Sequence, residues 1–369
     1  MSKPGPLRVM HVFPSFDVGG AQVRFAALAN RFGPRWQHII VSLNGRMDCA
    51  ERLHAEVPRE LVALPPRAGE GLPRRLLRIR QELQRLDPAV LVTANWGSIE
   101  WAMAGWSLSR LRHLHTEDGF GPEEAARQFP RRVLTRRLVL RRSRVVLPST
   151  TLRALAREVW RLPERCINYV PNGLDLARFS PRGPAAPLDV PGQGPLIGTV
   201  AALRAEKALD RLLRACGLLA AEGLDFRLAI VGEGPERPGL EALCAELGLR
   251  DRLAFTGHVA DPADAYRAFD LFALSSATEQ MPFSVLEAMA TGLPVAATDV
   301  GDVRHMLASE NRPYLAAGME DARLADALRP LVQDAGLRAR LGLANRRRAE
   351  AEFDQETMFQ AYAALIEAA

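Results

Sequence analysis

The sequence predicts an α/β protein built from two doubly wound, mostly parallel sheets, and three observations carry that prediction. The chain has 369 residues, about two domains at the usual ~100–200 residues each. Short apolar runs alternate with helix-length segments through both halves, as they do when helices cover both faces of a parallel sheet. Between the halves, Pro171, Pro181, Pro184, Pro187, Pro191 and Pro195 interrupt the alternation, and such punctuation marks a domain boundary.

Taken in order, the apolar runs predict strands at Leu7–Phe13, Gln37–Leu43, Leu61–Leu64, Ala89–Thr93, Leu111–His115, Arg144–Pro148 and Cys166–Val170. Helical spacing of apolar residues fills Gly20–Arg31, Leu72–Leu86, Gly97–Ser107, Glu123–Leu140 and Thr150–Trp160. In the second half, strands are expected at Leu196–Val200, Phe226–Val231, Leu253–Thr256, Leu271–Ser275 and Val295–Thr298, with helices at Lys207–Ala221, Leu240–Leu247 and Ser284–Thr291. The last ~45 residues read as helical, broken by Gly336 and Gly342. The domains so defined are 1–175 and 176–350, with 351–369 a C-terminal helix that can cross back to the first.

With 48% hydrophobic and 25% charged residues, the composition excludes a disordered or fibrous chain. No apolar run approaches the ~18–20 residues of a membrane span, and a strand-like stretch follows Met1–Arg8 where a signal peptide would have its apolar core. Cys49, Cys166, Cys216 and Cys244 are scattered without a CxxC pair, as expected of buried thiols in a reducing, cytoplasmic compartment. Charge is divided unevenly: residues 1–180 hold 29 basic against 16 acidic side chains, and residues 181–369 hold 19 against 27. Only Lys3 and Lys207 among the 48 basic residues are lysines, which makes Lys207 conspicuous.

Ligands of open parallel sheets sit beyond the carboxyl ends of strands, so residues just after strands are the functional candidates. Gly19 and Gly20 follow the first strand and open a helix, where a tight turn brings free N–H groups to an anion. This is neither GxGxxG nor a P-loop, which disfavours a nicotinamide oxidoreductase. Arg204 and Lys207 lie three apart at a strand-to-helix junction and suit a diphosphate, or are solvated surface cations. Gly232, and Gly257 with His258 and Val259, stand at two more strand exits, able to receive a nucleotide edge. Glu279 lies in a polar loop, and Glu287 follows eight residues later. Paired carboxylates can grip vicinal hydroxyls. Ser284 and Glu287 also have the spacing of a helix capping box. His113, His115, Glu117 and Asp118 lack a zinc-ligand spacing.

On Gly19-Gly20-Ala21, Val170-Pro171-Asn172-Gly173-Leu174-Asp175 with Phe179, Arg204 with Lys207, the Glu279…Glu287 pair and the run from Leu286 to Val295, the sequence resembles the retaining family 4 glycosyltransferases. The resemblance runs from Val9 to about Phe353. It implies the GT-B fold: two Rossmann-like domains facing across a cleft, an acceptor domain first and a nucleotide-sugar donor domain second. It places Gly20 beside the donor; Gly19, Gly232, Gly257, His258 and Val259 are further donor-side candidates by their place after strands. Arg204 and Lys207 would neutralise the diphosphate, Glu279 would hold the donor sugar and Glu287 the ribose. His115 would stand near the reacting sugar, with Asn95, Trp96 and Glu117 on the acceptor side. The expected reaction is transfer of a hexosyl group from a nucleoside-diphosphate sugar to a saccharide or lipid-linked acceptor, with no cofactor and no divalent metal. A sugar-nucleotide epimerase or hydrolase, or a silent nucleotide-sugar-binding module, are the alternatives. The sequence departs from the family at Ala202 and Ala208, where glycine is usual, and at Gln280-Met281-Pro282.

Residues 131–144 hold seven arginines and no acid. They either solvate a helix and line a groove, or form a peripheral site for anionic lipid at the inner face of the membrane. Nucleic acid is not an expected partner, because aromatic residues do not interleave with the arginines.

Overall fold

The computed structural model describes residues 5–120, 124, 128–259 and 261–368. The chain forms two compact units: residues up to Val170 together with those from Phe359 onward, and Pro171–Met358.

The first unit is a seven-stranded parallel sheet. Its elements are β1 (Leu7–Phe13), α1 (Gly20–Phe32), β2 (Trp36–Ser42), β3 (Arg59–Ala63), α2 (Leu72–Leu86), β4 (Val90–Ala94), α3 (Ile99–Gly105), β5 (Arg112–Thr116), α4 (Pro130–Val139), β6 (Arg144–Leu147), α5 (Thr150–Glu158) and β7 (Ile167–Tyr169). The strand order is β3-β2-β1-β4-β5-β6-β7, every pairing parallel. Central β4 is buried along its whole length, whereas edge strand β3 alternates half-buried and exposed, because helices cover both faces of the sheet only toward its middle. The helix expected over Glu123–Leu140 occupies Pro130–Val139; residues 123 and 125–127 lie outside the described ones.

The second unit comprises β8 (Leu196–Val200), α6 (Leu209–Ala221), β9 (Arg227–Val231), α7 (Arg237–Glu246), β10 (Leu253–Gly257), α8 (Pro262–Ala268), β11 (Leu271–Leu274), α9 (Phe283–Ala290), β12 (Val295–Thr298), α10 (Val303–Met306), β13 (Leu315–Ala316), α11 (Asp321–Gln333) and α12 (Ala335–Glu352). Its six parallel strands run β10-β9-β8-β11-β12-β13. In both units the order reverses beside the first strand, at β1/β4 and at β8/β11, which is where a doubly wound sheet opens to take a ligand. The last helix, α13 (Gln355–Glu367), ends in the first unit, where Glu367 accepts hydrogen bonds from Arg35 and from Trp36 Nε1 at 2.6 and 3.0 Å.

Three local expectations are corrected. Gly342 does not break the C-terminal helix. It lies inside α12, where a Cβ would stand 2.0 Å from the carbonyl oxygen of Gly292, so its missing side chain lets α12 close on the end of α9. The break near Gly336 falls instead at Asp334, whose carboxylate caps α12 by accepting from Leu337 N at 2.8 Å. The capping box at Ser284 does not form either. Pro282 is the N-cap residue of α9, without a side-chain cap bond, and Ser284 sits one position inside the helix. At the other end, Gly292 with φ +81° and the bonds Gly292 N to Met289 O and Leu293 N to Ala288 O stop α9 in a Schellman turn.

Candidate functional site

At the β8/β11 switch point the backbone itself builds a rigid shelf. After β8 a short 3-10 turn (Ala205–Lys207) leads to Ala208, held at φ +44°, and then to α6. A non-glycine residue in this left-handed region costs about 1 kcal/mol, the reason glycine suits the position. The loop after β11 is tied to this turn by Ala277 N to Glu206 O at 2.9 Å and Ser275 Oγ to Lys207 O at 2.9 Å. Thr298 Oγ1 donates to Ser276 O at 2.7 Å, and Asp302 N to Gln280 O at 2.7 Å. Gly301 passes so close that a Cβ would lie 2.4 Å from Glu279 O. From Pro171-Asn172-Gly173, the Asn172 side chain donates to Met281 O at 3.0 Å. The loop carrying Glu279 is thus fastened from several directions.

On this shelf Glu279 Oε1 accepts from Lys207 Nζ at 2.6 Å and from Ser276 Oγ at 2.7 Å. Its second oxygen has no partner among the described residues. Lys207 is partly exposed and Arg204 exposed, and the Arg204 guanidinium has no side-chain partner among the described residues. The arrangement is an open cationic face with one carboxylate set into it, at the N-terminal end of a 13-residue helix, a place that favours anions.

Glu287 lies one helix along. Its Oε2 accepts from Tyr266 Oη at 2.7 Å, and Tyr266 is fully buried on α8. Burial holds the Glu287 carboxyl above its ordinary range, opposed by the Tyr266 bond and the Arg178 charge. Sequence reasoning missed Tyr266 because α8 spans less than two turns. The Asp261-Pro262 pair, in which Asp261 caps Ala263 N at 3.0 Å, was its one readable signal. Gly232 and Gly257 sit at the ends of β9 and β10 and bond to each other, Gly232 N to Gly257 O at 2.8 Å. At Gly232, φ is +135° and a Cβ would meet Ala201 O at 1.9 Å. His258 is exposed, and Val259 is half-buried against the unit's core.

In the first unit the candidates behave differently. Gly19 precedes α1 as an N-cap residue without a side-chain cap bond, and Gly20 is exposed as the first helical residue. Asn95, at φ +58°, follows β4 and accepts from Asp118 N at 2.8 Å through its side chain. Trp96 is half-buried, with the guanidinium carbons of Arg132 and Arg136 each 5.1 Å from its ring centroid. His115 and Glu117 are fully buried. Glu117 Oε2 accepts from Arg136 Nε at 3.1 Å and stands 3.6 Å from His115 Nε2. Arg24 pairs with Asp118 at 2.7 Å and Arg132 with Glu124 at 2.8 Å. Two of the seven clustered arginines, Arg132 and Arg136, therefore turn inward, whereas Arg131, Arg137, Arg141 and Arg142 stay exposed. A cavity of about 520 Å³ is lined by Asn95, Trp96, Asp118, Phe120, Glu124, Arg132 and Arg136 among others. Near it several buried polar atoms lack hydrogen bonds among the described residues: Arg136 Nη1, Glu117 Oε1, Asp118 Oδ2 and Arg136 Nη2, which stands 3.5 Å from Glu124 Oε2. Such orphans are rare in folded proteins.

Comparison with known proteins follows the same division of the chain. Residues 18–178 match the family described as Glycosyltransferase Family 4, and residues 185–348 the family described as Glycosyl transferases group 1. The 2-deoxystreptamine glucosyltransferase of Streptomyces kanamyceticus is 34% identical over 222 residues, 56% of this chain and 56% of that protein. A D-inositol 3-phosphate glycosyltransferase of Stackebrandtia nassauensis is 28% identical, with 92% of this chain and 86% of the relative covered. Against several other curated relatives, the matched stretch spans between 54% and 59% of their length. Among solved structures, sucrose-phosphate synthase from Thermosynechococcus elongatus superposes with a TM-score of 0.77 at 22% identity, covering 98% of this chain and 100% of that one. Anabaena Alr3699/HepE in complex with UDP and glucose gives 0.79 at 18% identity, with 98% and 100% covered. At these identities the structural likeness is one of fold.

Proposed function

Because the chain belongs to the family 4 glycosyltransferases of GT-B fold, we propose that it moves a hexosyl group, with retention, from a nucleoside-diphosphate sugar to an acceptor hydroxyl. The observation that carries this reading is the Lys207–Glu279 pair at 2.6 Å on the turn that also carries the exposed Arg204. Expelling a nucleoside diphosphate builds negative charge on the departing phosphate while the anomeric carbon becomes electron-poor. Arg204 and Lys207 meet the first demand with cations already in place, so little reorganisation is needed as charge develops. Glu279, anchored through one oxygen, keeps the other for donor-sugar hydroxyls. Glu287, oriented by Tyr266, takes the ribose hydroxyls. The leaving phosphate accepts the acceptor proton on the face from which the acceptor attacks.

On the acceptor side, the cavity in the first unit suits a neutral polyol. Its two lining arginines, Arg132 and Arg136, are matched by two lining carboxylates, Asp118 and Glu124, and its unmet valences among the described residues include both donors and acceptors, the complement of vicinal hydroxyls. A saccharide, alone or on a lipid carrier, has that chemistry. Helix α4 adds a surface for the carrier's membrane: Phe129, Leu134 and Leu138 are 39%, 55% and 46% exposed among Arg131, Arg137, Arg141 and Arg142, a mixture suited to anionic lipid. No helix among the described residues is long and apolar enough to cross a membrane. The working location is the cytoplasm, at the inner membrane face.

The test is a panel of nucleotide sugars scored by thermal stabilisation and by product formation with saccharide acceptors. A ligand that binds the folded state alone raises its apparent stability. One donor should stabilise the protein, with the response lost in Lys207→Ala and Glu287→Ala, and a glycosylated acceptor should appear. Equal responses in all three proteins would overturn the donor site. Epimerised or hydrolysed donor without acceptor product would overturn the transfer.

A further inference from the structure

Behind His115 runs a hydrogen-bonded line of side chains, buried except for the half-buried His113, that the donor and acceptor readings do not use. Thr93 on β4 is fully buried, and its Oγ1 lies 2.8 Å from both His115 Nδ1 and His113 Nε2. The register of the parallel pair β4/β5 dictates this, with Thr93 opposite His115 and Leu91 opposite His113. His113 Nδ1 continues the line to Ser143 Oγ at 2.6 Å. At the other end His115 Nε2 has no hydrogen bond among the described residues and faces Glu117 Oε2 at 3.6 Å. That oxygen is itself held by Arg136 Nε at 3.1 Å.

A hydroxyl has one proton. Thr93 therefore donates to one imidazole and accepts from the other, and the two ring tautomers are coupled. Burial and the neighbouring His115 push His113 down to about 3, so His113 is neutral and also has a single proton to give. With a single proton on His115 as well, two self-consistent arrangements exist. In one, Ser143 donates to His113 Nδ1, His113 Nε2 to Thr93, and Thr93 to His115 Nδ1, which leaves the His115 proton on Nε2. The other reverses every bond and leaves a bare Nε2 lone pair pointing at a carboxylate. The Glu117 charge selects the first, because an N–H dipole toward an anion is attractive and a lone pair is not.

We infer that Thr93 is a positioning residue in a one-way relay, Ser143 to His113 to Thr93 to His115, which fixes His115 as an Nε2–H donor facing Glu117. His115 is then a hydrogen-bond donor on the acceptor side and not a base. Only this consequence for catalysis rests on the proposed glycosyl transfer; the relay itself does not.

Nitrogen NMR of the full-length protein labelled with ¹⁵N-histidine reads the tautomers directly at neutral pH, with His113→Asn and His115→Asn assigning the two rings. Both rings should be protonated at Nε2 and bare at Nδ1. A proton on Nδ1 of either ring, or on both nitrogens of His115, overturns the relay. Thr93→Ser should keep the wild-type pattern, and Thr93→Val should scramble it. Unchanged nitrogen signals in Thr93→Val also overturn the relay. If Thr93→Val does not fold, the wild-type and Thr93→Ser spectra still decide. In a donor–acceptor pair that turns over, Thr93→Val should lower kcat severalfold with KM unchanged, and Thr93→Ser should restore it. A protein with the expected tautomers but no sugar transfer would retain the relay and overturn the proposed function.

Discussion

The two units share strand order, parallel pairing and a ligand-ready reversal beside their first strand, yet they use charge in opposite ways. In the second unit the charged side chains at the switch point stand open: Arg204 is exposed, Lys207 partly so, and both rest on a loop fastened by its backbone. In the first unit Arg136 and Glu117 are each no more than 1% exposed and bonded to each other, beneath Trp96, Phe120 and Trp160, whose ring centroids lie 5.1–5.2 Å from the guanidinium carbon. Open charge is available to a ligand. Buried charge must first satisfy the fold. The same doubly wound frame therefore yields one unit in which polar substitutions reach ligand binding and another in which they reach stability first.

Arg136→Ala is the largest expected break in that contrast. Removing one partner of a buried pair leaves an uncompensated carboxylate and typically costs about 3–5 kcal/mol. All five tryptophans (Trp36, Trp96, Trp101, Trp106 and Trp160) lie in the first unit, so tryptophan fluorescence during urea unfolding reports that unit alone. Its midpoint should fall sharply, while nucleotide-sugar affinity is retained below the transition. Lys207→Ala should do the reverse. The tryptophan transition stays in place and turnover falls by about 10²-fold, or ~3 kcal/mol, the usual cost of losing one well-placed electrostatic donor. Steady-state kinetics with the identified donor checks it, and a loss confined to KM would mean that Lys207 binds the diphosphate without stabilising its departure.

A smaller effect sharpens the point that the second unit's site is held by backbone. Gly342→Ala puts a methyl against Gly292 O, and overpacking of this kind costs about 1–3 kcal/mol. Hydrogen exchange should quicken in α9 and α12, and donor-induced stabilisation should shrink because α9 carries Glu287. Unchanged exchange in α9 would separate that helix from the packing of α12.

Most of the frame was legible because parallel strands buried on both faces are nearly continuous apolar runs. Leu7–Phe13, Leu196–Val200 and Val295–Thr298 fall where the sequence places them. The elements that escaped are short: two-residue β13, four-residue α10 and seven-residue α8, too brief for any period to show. In the candidate site, the placement of Arg204, Lys207 and Glu279 just after strands was legible from the order of the apolar runs. Side-chain partnerships were not. Spacing alone joined Glu287 to Ser284, but the helix starts two residues earlier than that box requires, and Glu287 is bound from α8. The arginine run hid its own division. Composition cannot say that Arg136 faces Glu117 while Arg137 faces water, because that depends on where α4 meets β5 and β6. Gly342 is a similar case, since a glycine needed for close approach has the same letter as one that ends a helix.

The smallest expected effect concerns Glu287, half-buried and held by the fully buried Tyr266. Its folded-state pKa is raised, chiefly by burial. The native state therefore binds more protons than the unfolded chain between the ordinary carboxylate value and the raised one, and stability falls as pH rises through that window. Below the ordinary value the side chain is protonated in both states and its contribution is fully present. At neutral pH the buried charge is a net cost, tempered by the Tyr266 bond and by Arg178. Glu287→Gln keeps the shape and removes the charge. Without ligand, its melting temperature should exceed that of the wild type at pH 7, and the gap should close as pH is lowered toward 4. With the donor present the order should reverse, because an amide is a poorer acceptor for ribose hydroxyls than a carboxylate. A variant that is less stable than the wild type at pH 7 without ligand would mean that the Tyr266 bond outweighs desolvation. Glu287 would then belong with the paired, fold-serving carboxylates of the first unit, and the contrast between the two units would end at α9.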